Sequence, residues 1–435
     1  MKYTPLPKSL FEKNRKRYVS QLLPNSVAFF LSNDEMPRSG DQHHVFKQNA
    51  DLYYLTGIDQ EQTILVLAPN HPLAEYRELL FIRKTNEHIA VWEGHKYTKE
   101  EARQASGITQ VYWMDDFQNM LALLMHHSKH VYINYNENDR FSNEVPYADV
   151  RFAEKLKSKY GAHHYERSAP IMARLRAIKQ EEEIAPLKTA IDITAAAFNN
   201  VMKTVKPGIT EYEIEAQITF DFLKRRATGH AYTPIIAAGG NSCVLHYTAN
   251  NQVCKDGDIM LLDFGAEYAN YAADLTRVVP INGKFTPRQK AVYNAVLHVM
   301  KEAQKMLVVG NTIPQYHEAV GKIMEEELIK LGLLNADEVA QQDPRAPLYK
   351  KYFMHGTSHF LGLDVHDIGN RYEPMQAGMV FTCEPGIYIP AEGIGIRLEN
   401  DILITEQGNV DLMAHIPIAA EEIESIMASQ MINAS

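Results

Sequence analysis

Between residues 27 and 135 the chain repeats short apolar runs, VAFFL, TILVLA, ELLFI and HVYINY, separated by charged or helix-like stretches such as EEARQAS. Apolar runs of this length, bounded by polar punctuation, are strand signals. Their alternation with helical segments predicts an α/β domain with a modest sheet, assigned to residues 1–170. The period then changes. After RSAPIMARLRAIKQEEEI, apolar residues recur at helical spacing, with Ile184, Leu187, Ile191, Ala195, Phe198 and Met202 on one stripe of a long amphipathic helix and Pro186 in its first turn.

A second domain is assigned to residues 175–435. Its next helix opens after Lys206-Pro207-Gly208, where Thr210 and Glu213 form a capping-box pattern, and a third opens at Thr286-Pro287, with Gln289 three positions after Thr286. Two helix pairs result, about 180–227 and 287–332, each followed by strand-like runs, so a pseudo-twofold α+β layout is expected. NADEVAQQDPRAPLYKKY reads as an exposed connection or short irregular helix, GAEYANYA as a hairpin turn, and the tail after Ile418 as an acidic helix.

Composition narrows the class without naming a reaction. With 435 residues, 45% hydrophobic and 23% charged, the chain can bury a large core. The formal net charge of −10 disfavours nucleic acid or an anionic membrane as partner. No run reaches the roughly 18 apolar residues of a membrane span, and MKYTPLPKSLFEKNRKRY lacks the apolar centre of a secretory signal. Cys243, Cys254 and Cys383 form an odd, widely spaced set, which fits a reducing cytoplasm and no disulfide framework. Cys383 itself reads as a small buried strand residue, and His43-His44, His163-His164 and the His126, His127, His130 group as solvated or capping histidines.

Chemistry concentrates in four segments. LLDFGAEYANYAADLTR places Asp263 and Asp274 eleven residues apart beside strand-like runs, and a turn near Glu267 to Asn270 would bring both onto neighbouring strands. HGTSHFLGLDVHD carries His355, His359 and His366. VFTCEPGIYIP and GIGIRLENDILIT then offer Glu384 and Glu399 on two more apolar stretches. Buried carboxylates are expensive unless a cation compensates them. Four carboxylates and one imidazole make an oxygen-rich site that can hold two divalent cations about one water. Such a donor set favours Mn²⁺ over thiolate-seeking metals, with Co²⁺, Fe²⁺ or Zn²⁺ as other occupants. No HExxH motif is present.

These segments resemble the metallopeptidases of the pita-bread fold, specifically the Xaa-Pro aminopeptidase (aminopeptidase P) family and its relative prolidase. GDQHHVFKQNADLYYLTGIDQEQTILVL is similar to the amino-terminal domain of that family, so the resemblance covers most of the chain. By resemblance, Asp263 chelates one metal, His359 and Glu384 serve the other, and Asp274 and Glu399 bridge both. Glu384 is also the implied proton shuttle. His246 and His366 would face the substrate, while His355 and Arg397 would orient ligands and balance charge. Two departures stand out: the segment from Glu384 to Glu399 is compact, and Asn400 stands where an aspartate is common.

The function implied is removal of the first residue from peptides with proline in second position, by attack of a metal-bridging hydroxide. Two other readings stay open, a prolidase acting on Xaa-Pro dipeptides and a noncatalytic pita-bread peptide-binding protein. The resemblance also implies a homo-oligomer, dimer or tetramer, with the Asp41 to Lys47 stretch bordering a neighbour's active site.

Overall fold

The computed structural model describes residues 3–433. It divides into two compact units, Thr4–Arg176 and the segment from Ala177 onward, which Tyr3 joins.

In the first unit the apolar runs become a six-stranded mixed sheet. The spatial order is Gln110–Trp113, Glu78–Ile82, Ile64–Leu67, Ser26–Leu31, His130–Ile133, His164–Arg167. The three central strands pair antiparallel and the outer pairs run parallel. Strand Ser26–Leu31 is buried along nearly its whole length because both faces are covered. Val27 and Phe29 pack with Phe117, Leu121, Leu124, Ala153 and Leu156 of the helices Phe117–His126 and Ala148–Lys159. Phe30 faces the other way and meets Tyr18 edge-on at 5.0 Å. His163 caps carbonyls, with its ring nitrogens against Met125 and Tyr160.

The second unit has the pita-bread layout of two helix pairs, each backing its own small sheets. Helices Glu181–Thr204 and Glu211–Lys224 pack on each other. They also touch strands among Gly229–His230, Ile235–Ala238, Ala266–Tyr268 and Tyr271–Ala272. Helices Pro287–Lys305 and Ile313–Lys330 pair likewise, and the first of them packs on Val380–Cys383, Gly386–Ile389, Ile394–Arg397 and Gly408–Asp411. Capping boxes form at Thr210/Glu213 and Thr286/Gln289. Leu187, Ile191, Ala195, Phe198 and Met202 of the long stripe are buried, whereas Ile184 is half-buried.

Pro186 departs from expectation. The helix starts at Glu181, fixed by a capping box between Gln180 and Glu183, so the proline lies inside it and not in the first turn. The hydrogen bond its ring forgoes is to the carbonyl of Glu182, a half-buried residue. Cys383 is a fully buried strand residue. The polar connection after Leu334 forms the short helix Ala336–Ala340 and a single turn at Leu348–Lys351.

Candidate active site

The carboxylates arrive at the ends of strands. Asp263 closes Ile259–Asp263, the middle strand of a sheet between Ile235–Ala238 and Thr276–Pro280. Its ladder partner is Thr276, so Asp274 lies just before the paired strand and not on it. The intervening chain forms a second, smaller hairpin that turns at Ala269 and Asn270, both with positive φ (52° and 66°). Gly265 allows the crossing between the two ladders: a Cβ there would stand 1.7 Å from the Ala273 carbonyl oxygen. The expected hairpin is therefore two stacked ladders, and the pinch between them turns Asp263 and Asp274 toward one another.

The second half of the unit supplies the rest. His359 is clipped to strand Val380–Cys383 in both directions, its N–H donating to Thr382 Oγ1 (3.1 Å) and its carbonyl accepting from the Thr382 N–H (3.0 Å). Its Nδ1 lies 2.9 Å from the Phe360 carbonyl, which assigns the proton to Nδ1 and leaves the Nε2 lone pair facing the site. Nε2 is 3.5 Å from Asp274 Oδ2 and 3.6 Å from Glu384 Oε1. Glu384 follows the strand directly, its N–H donating to the Thr357 carbonyl (2.9 Å). Glu399 is 2% exposed and accepts from Thr276 Oγ1 at 2.6 Å. Asp274, His359 and Glu399 each offer a ligand atom within 4.8 Å of the others.

A hydrogen-bonded chain supports this cluster. Arg397 donates to Asp263 Oδ2, to Thr276 Oγ1 (3.2 Å) and to the Tyr388 hydroxyl (2.9 Å). Tyr388 in turn donates to His355 Nε2 (2.8 Å), and His355 Nδ1 to the Gly356 carbonyl (2.7 Å). Every link has one donor and one acceptor, so the chain is satisfied with His355 neutral. Burial, together with the positive Arg397, holds that imidazole down at about 3. His366 and His246 are both exposed, and the His366 ring lies edge-on to His359 with centroids 4.5 Å apart.

The donor set fits divalent cations. Asp263, Asp274 and Glu399 are each at most 8% exposed, against one guanidinium and one imidazole in contact. Burial pushes Asp263 up, Glu399 well up and Glu384 up to about 7; His359 and Arg397 restrain Glu384, while Asp274 and Asp263 add repulsion. His359 is raised, because Asp274 and Glu384 outweigh its burial. The Tyr232 hydroxyl sits 2.6 Å from Asp263 Oδ1 and 2.5 Å from Asp274 Oδ1. Carrying a single proton, it donates to only one of them. The other oxygen faces the same point without a hydrogen, which is a place for positive charge.

Tyr232, Thr276, Thr382 and Tyr388 are site residues that sequence reasoning missed. Thr276 stands two positions after Asp274 and Thr382 two before Glu384, close in sequence to the candidate carboxylates. Tyr232 and Tyr388 carry no such signal.

Comparison with known proteins gives the lineage. Residues 185–406 match the model of metallopeptidase family M24, and residues 11–132 that of the aminopeptidase P N-terminal domain. The chain is 34% identical to an Xaa-Pro aminopeptidase of Haemophilus influenzae over 434 residues, 97% of this chain and 98% of the relative. It is 34% identical to an Escherichia coli Xaa-Pro aminopeptidase over 441 residues, covering 96% and 97%. Among solved structures, a putative aminopeptidase P from Bacillus anthracis superimposes with TM-score 0.90 at 34% identity, over 98% of this chain and 99% of that one. Aminopeptidase P of E. coli with the inhibitor Pro-Leu superimposes with TM-score 0.88 at 33% identity, over 99% and 100%. On this footing the chain belongs to metallopeptidase family M24, with the amino-terminal domain of aminopeptidase P.

Proposed function

We propose that this protein is an Xaa-Pro aminopeptidase, hydrolysing the bond between the first residue of a peptide and a proline in second position. The observation that carries the reading is the grouping of ligand atoms from Asp274, His359 and Glu399 within 4.8 Å of one another, with Asp263 sharing the Tyr232 hydroxyl with Asp274 and Glu384 Oε1 3.6 Å from His359 Nε2. Full-length similarity to Xaa-Pro aminopeptidases supports it. Asp263 would hold one divalent cation, His359 and Glu384 the other, and Asp274 and Glu399 both. Mn²⁺ is the proposed metal, on the hardness of four carboxylates against one imidazole. Bound divalent cations supply a water of lowered pKa and a Lewis acid for the scissile carbonyl.

The chain's own groups do the remaining work. Glu384 takes a proton from the attacking water and delivers it to the departing proline nitrogen. His366 and His246 reach the substrate carbonyls from the rim and steady the oxygen as it gains charge. Arg397 fixes Asp263, and through Tyr388 it keeps His355 in place beside Glu384, whose Oε2 is 3.7 Å from His355 Nδ1. Proline lacks the N–H that general peptidases grip, so a dedicated pocket is needed.

Cytoplasmic residence is proposed from three unpaired cysteines, and among the described residues no helix is long and apolar enough to cross a membrane. A dimer or tetramer is proposed, with Asp41 to Lys47 meeting a neighbouring copy; Asp41 to Val45 is exposed. The test is a peptide panel on Mn²⁺-loaded protein, with metal content measured on the same sample. Release of the first residue from Xaa-Pro-Xaa peptides, and not from Xaa-Ala-Xaa controls, is expected. Turnover of Xaa-Pro dipeptides alone would make the protein a prolidase, and less than one ion per chain with no turnover would make it a binding module.

A further inference from the structure

One buried ion pair outside the metal cluster is not accounted for by the chemistry above. Lys179 Nζ lies 2.9 Å from Asp367 Oδ2, and both side chains are 1% exposed. Lys179 sits just before helix Glu181–Thr204, on a segment clipped to the other half of the unit. Its N–H donates to the Gly378 carbonyl (2.8 Å), and Ile178 bridges Met379. Asp367 follows His366 directly.

The segment from His359 to Asp367 is a closed loop wound around this pair. The Asp367 N–H donates to the Phe360 carbonyl (2.9 Å), Asp367 Oδ1 accepts from the Ile368 N–H (2.9 Å), and the Gly362 N–H donates to the Asp364 carbonyl (3.1 Å). Gly362 presses on the pair: a Cβ there would stand 2.2 Å from Asp367 Oδ2 and 2.8 Å from Lys179 Cε. The two histidines of the loop are thus anchored separately. His359 is held by its two backbone bonds to Thr382, and His366 by the neighbouring carboxylate locked onto an ammonium from another element. Buried ion pairs add little net stability over apolar packing, but they define direction and partner.

We propose that Lys179 and Asp367 are positioning residues for His366, fixing the exposed imidazole at the rim while leaving the cation ligands to their own anchors. The proposal rests on the aminopeptidase reading for the substrate, and the test separates the two.

Lys179→Met alone strands a buried carboxylate and can unfold the chain, so it is paired with the apolar replacement Lys179→Met/Asp367→Leu, which removes both charges together. Full-length protein is compared by metal content, by kcat and KM on an Xaa-Pro-Xaa peptide, and by ¹H–¹³C spectra of the histidine rings, with His366 assigned from His366→Ala. The double replacement is expected to keep the wild-type metal content and to shift the His366 resonance. Its kcat/KM should fall about 10- to 100-fold, the loss that follows misplacing a group by about an ångström. In a His366→Ala background the same replacement should change kcat/KM by less than about threefold, because its effect runs through that ring. An unshifted His366 resonance, loss of metal in step with activity, or a full multiplicative loss in the His366→Ala background each overturns the proposal. If wild-type protein turned over no proline peptide, the aminopeptidase reading would fall, and the His366 spectrum would still decide the role of Lys179.

Discussion

His359 turns Nε2 toward Asp274, 3.5 Å from Oδ2, because its other ring nitrogen is committed to the Phe360 carbonyl. His359→Ala removes the lone nitrogen donor of the cluster while leaving the backbone bonds to Thr382 intact. Metal content should fall by at least one ion per chain and kcat by more than about 10³-fold, with an unchanged far-ultraviolet circular dichroism spectrum. Full turnover by that variant would refute the proposed centre.

Tyr388→Phe deletes the hydroxyl that joins Arg397 to His355. It leaves a buried guanidinium N–H and the His355 Nε2 acceptor without their partner, a cost of about 1–3 kcal/mol readable by urea denaturation. A fall in kcat of about 10- to 100-fold is expected, since Glu384 loses the support of a fixed neighbour. Wild-type stability in this variant would show that the chain of bonds does not form.

Arg277 is fully buried, and burial pushes it down to about 10, so it stays charged at neutral pH. It donates to the carbonyls of Pro417, Thr276 and Glu399 and to Asn400 Oδ1. Arg277→Met strands these acceptors and should cost about 3–5 kcal/mol by denaturant titration. Metal affinity should weaken with it, because Glu399 is held from the same side.

The carboxyl cluster makes the metal-free protein sensitive to alkali. Glu384 rises from 4.5 to about 7, and Asp263 and Glu399 are raised as well, all by burial first. Folded pKa values above the unfolded ones contribute stability that is fully present below the unfolded pKa, about 4.5 for Glu384, and lost as pH rises through about 7. Tm of the metal-free protein should therefore decline from pH 5 to pH 7.5 relative to a variant carrying Glu384→Gln. The Tm gain on adding Mn²⁺ should grow over the same interval, with protons released on binding. Scanning fluorimetry and calorimetry in two buffers check both; a gain independent of pH would contradict the assignment.

Much of this was readable in the sequence. The stripe through Leu187, Ile191 and Phe198 buries as its spacing requires, and the proposed ligands stand in local sequences dense with Gly, His and carboxylates. Contacts spanning long stretches of chain were not readable. Tyr232 reaches Asp274 across 42 residues, and no pattern around YTP announces it. The crossing at Gly265 depends on a backbone approach that periodicity cannot express. Asn400 becomes intelligible only in place, where its amide oxygen accepts from Arg277 while its nitrogen donates to Asp411 at 2.7 Å. An aspartate there could accept but could not donate.

Arg397 meets Asp263 across 134 residues, and Thr276 meets Glu399 across 123. During synthesis from the amino end, Asp263 and Asp274 emerge long before Arg397 and Glu399, so a product that stops short of Glu399 lacks part of the proposed set.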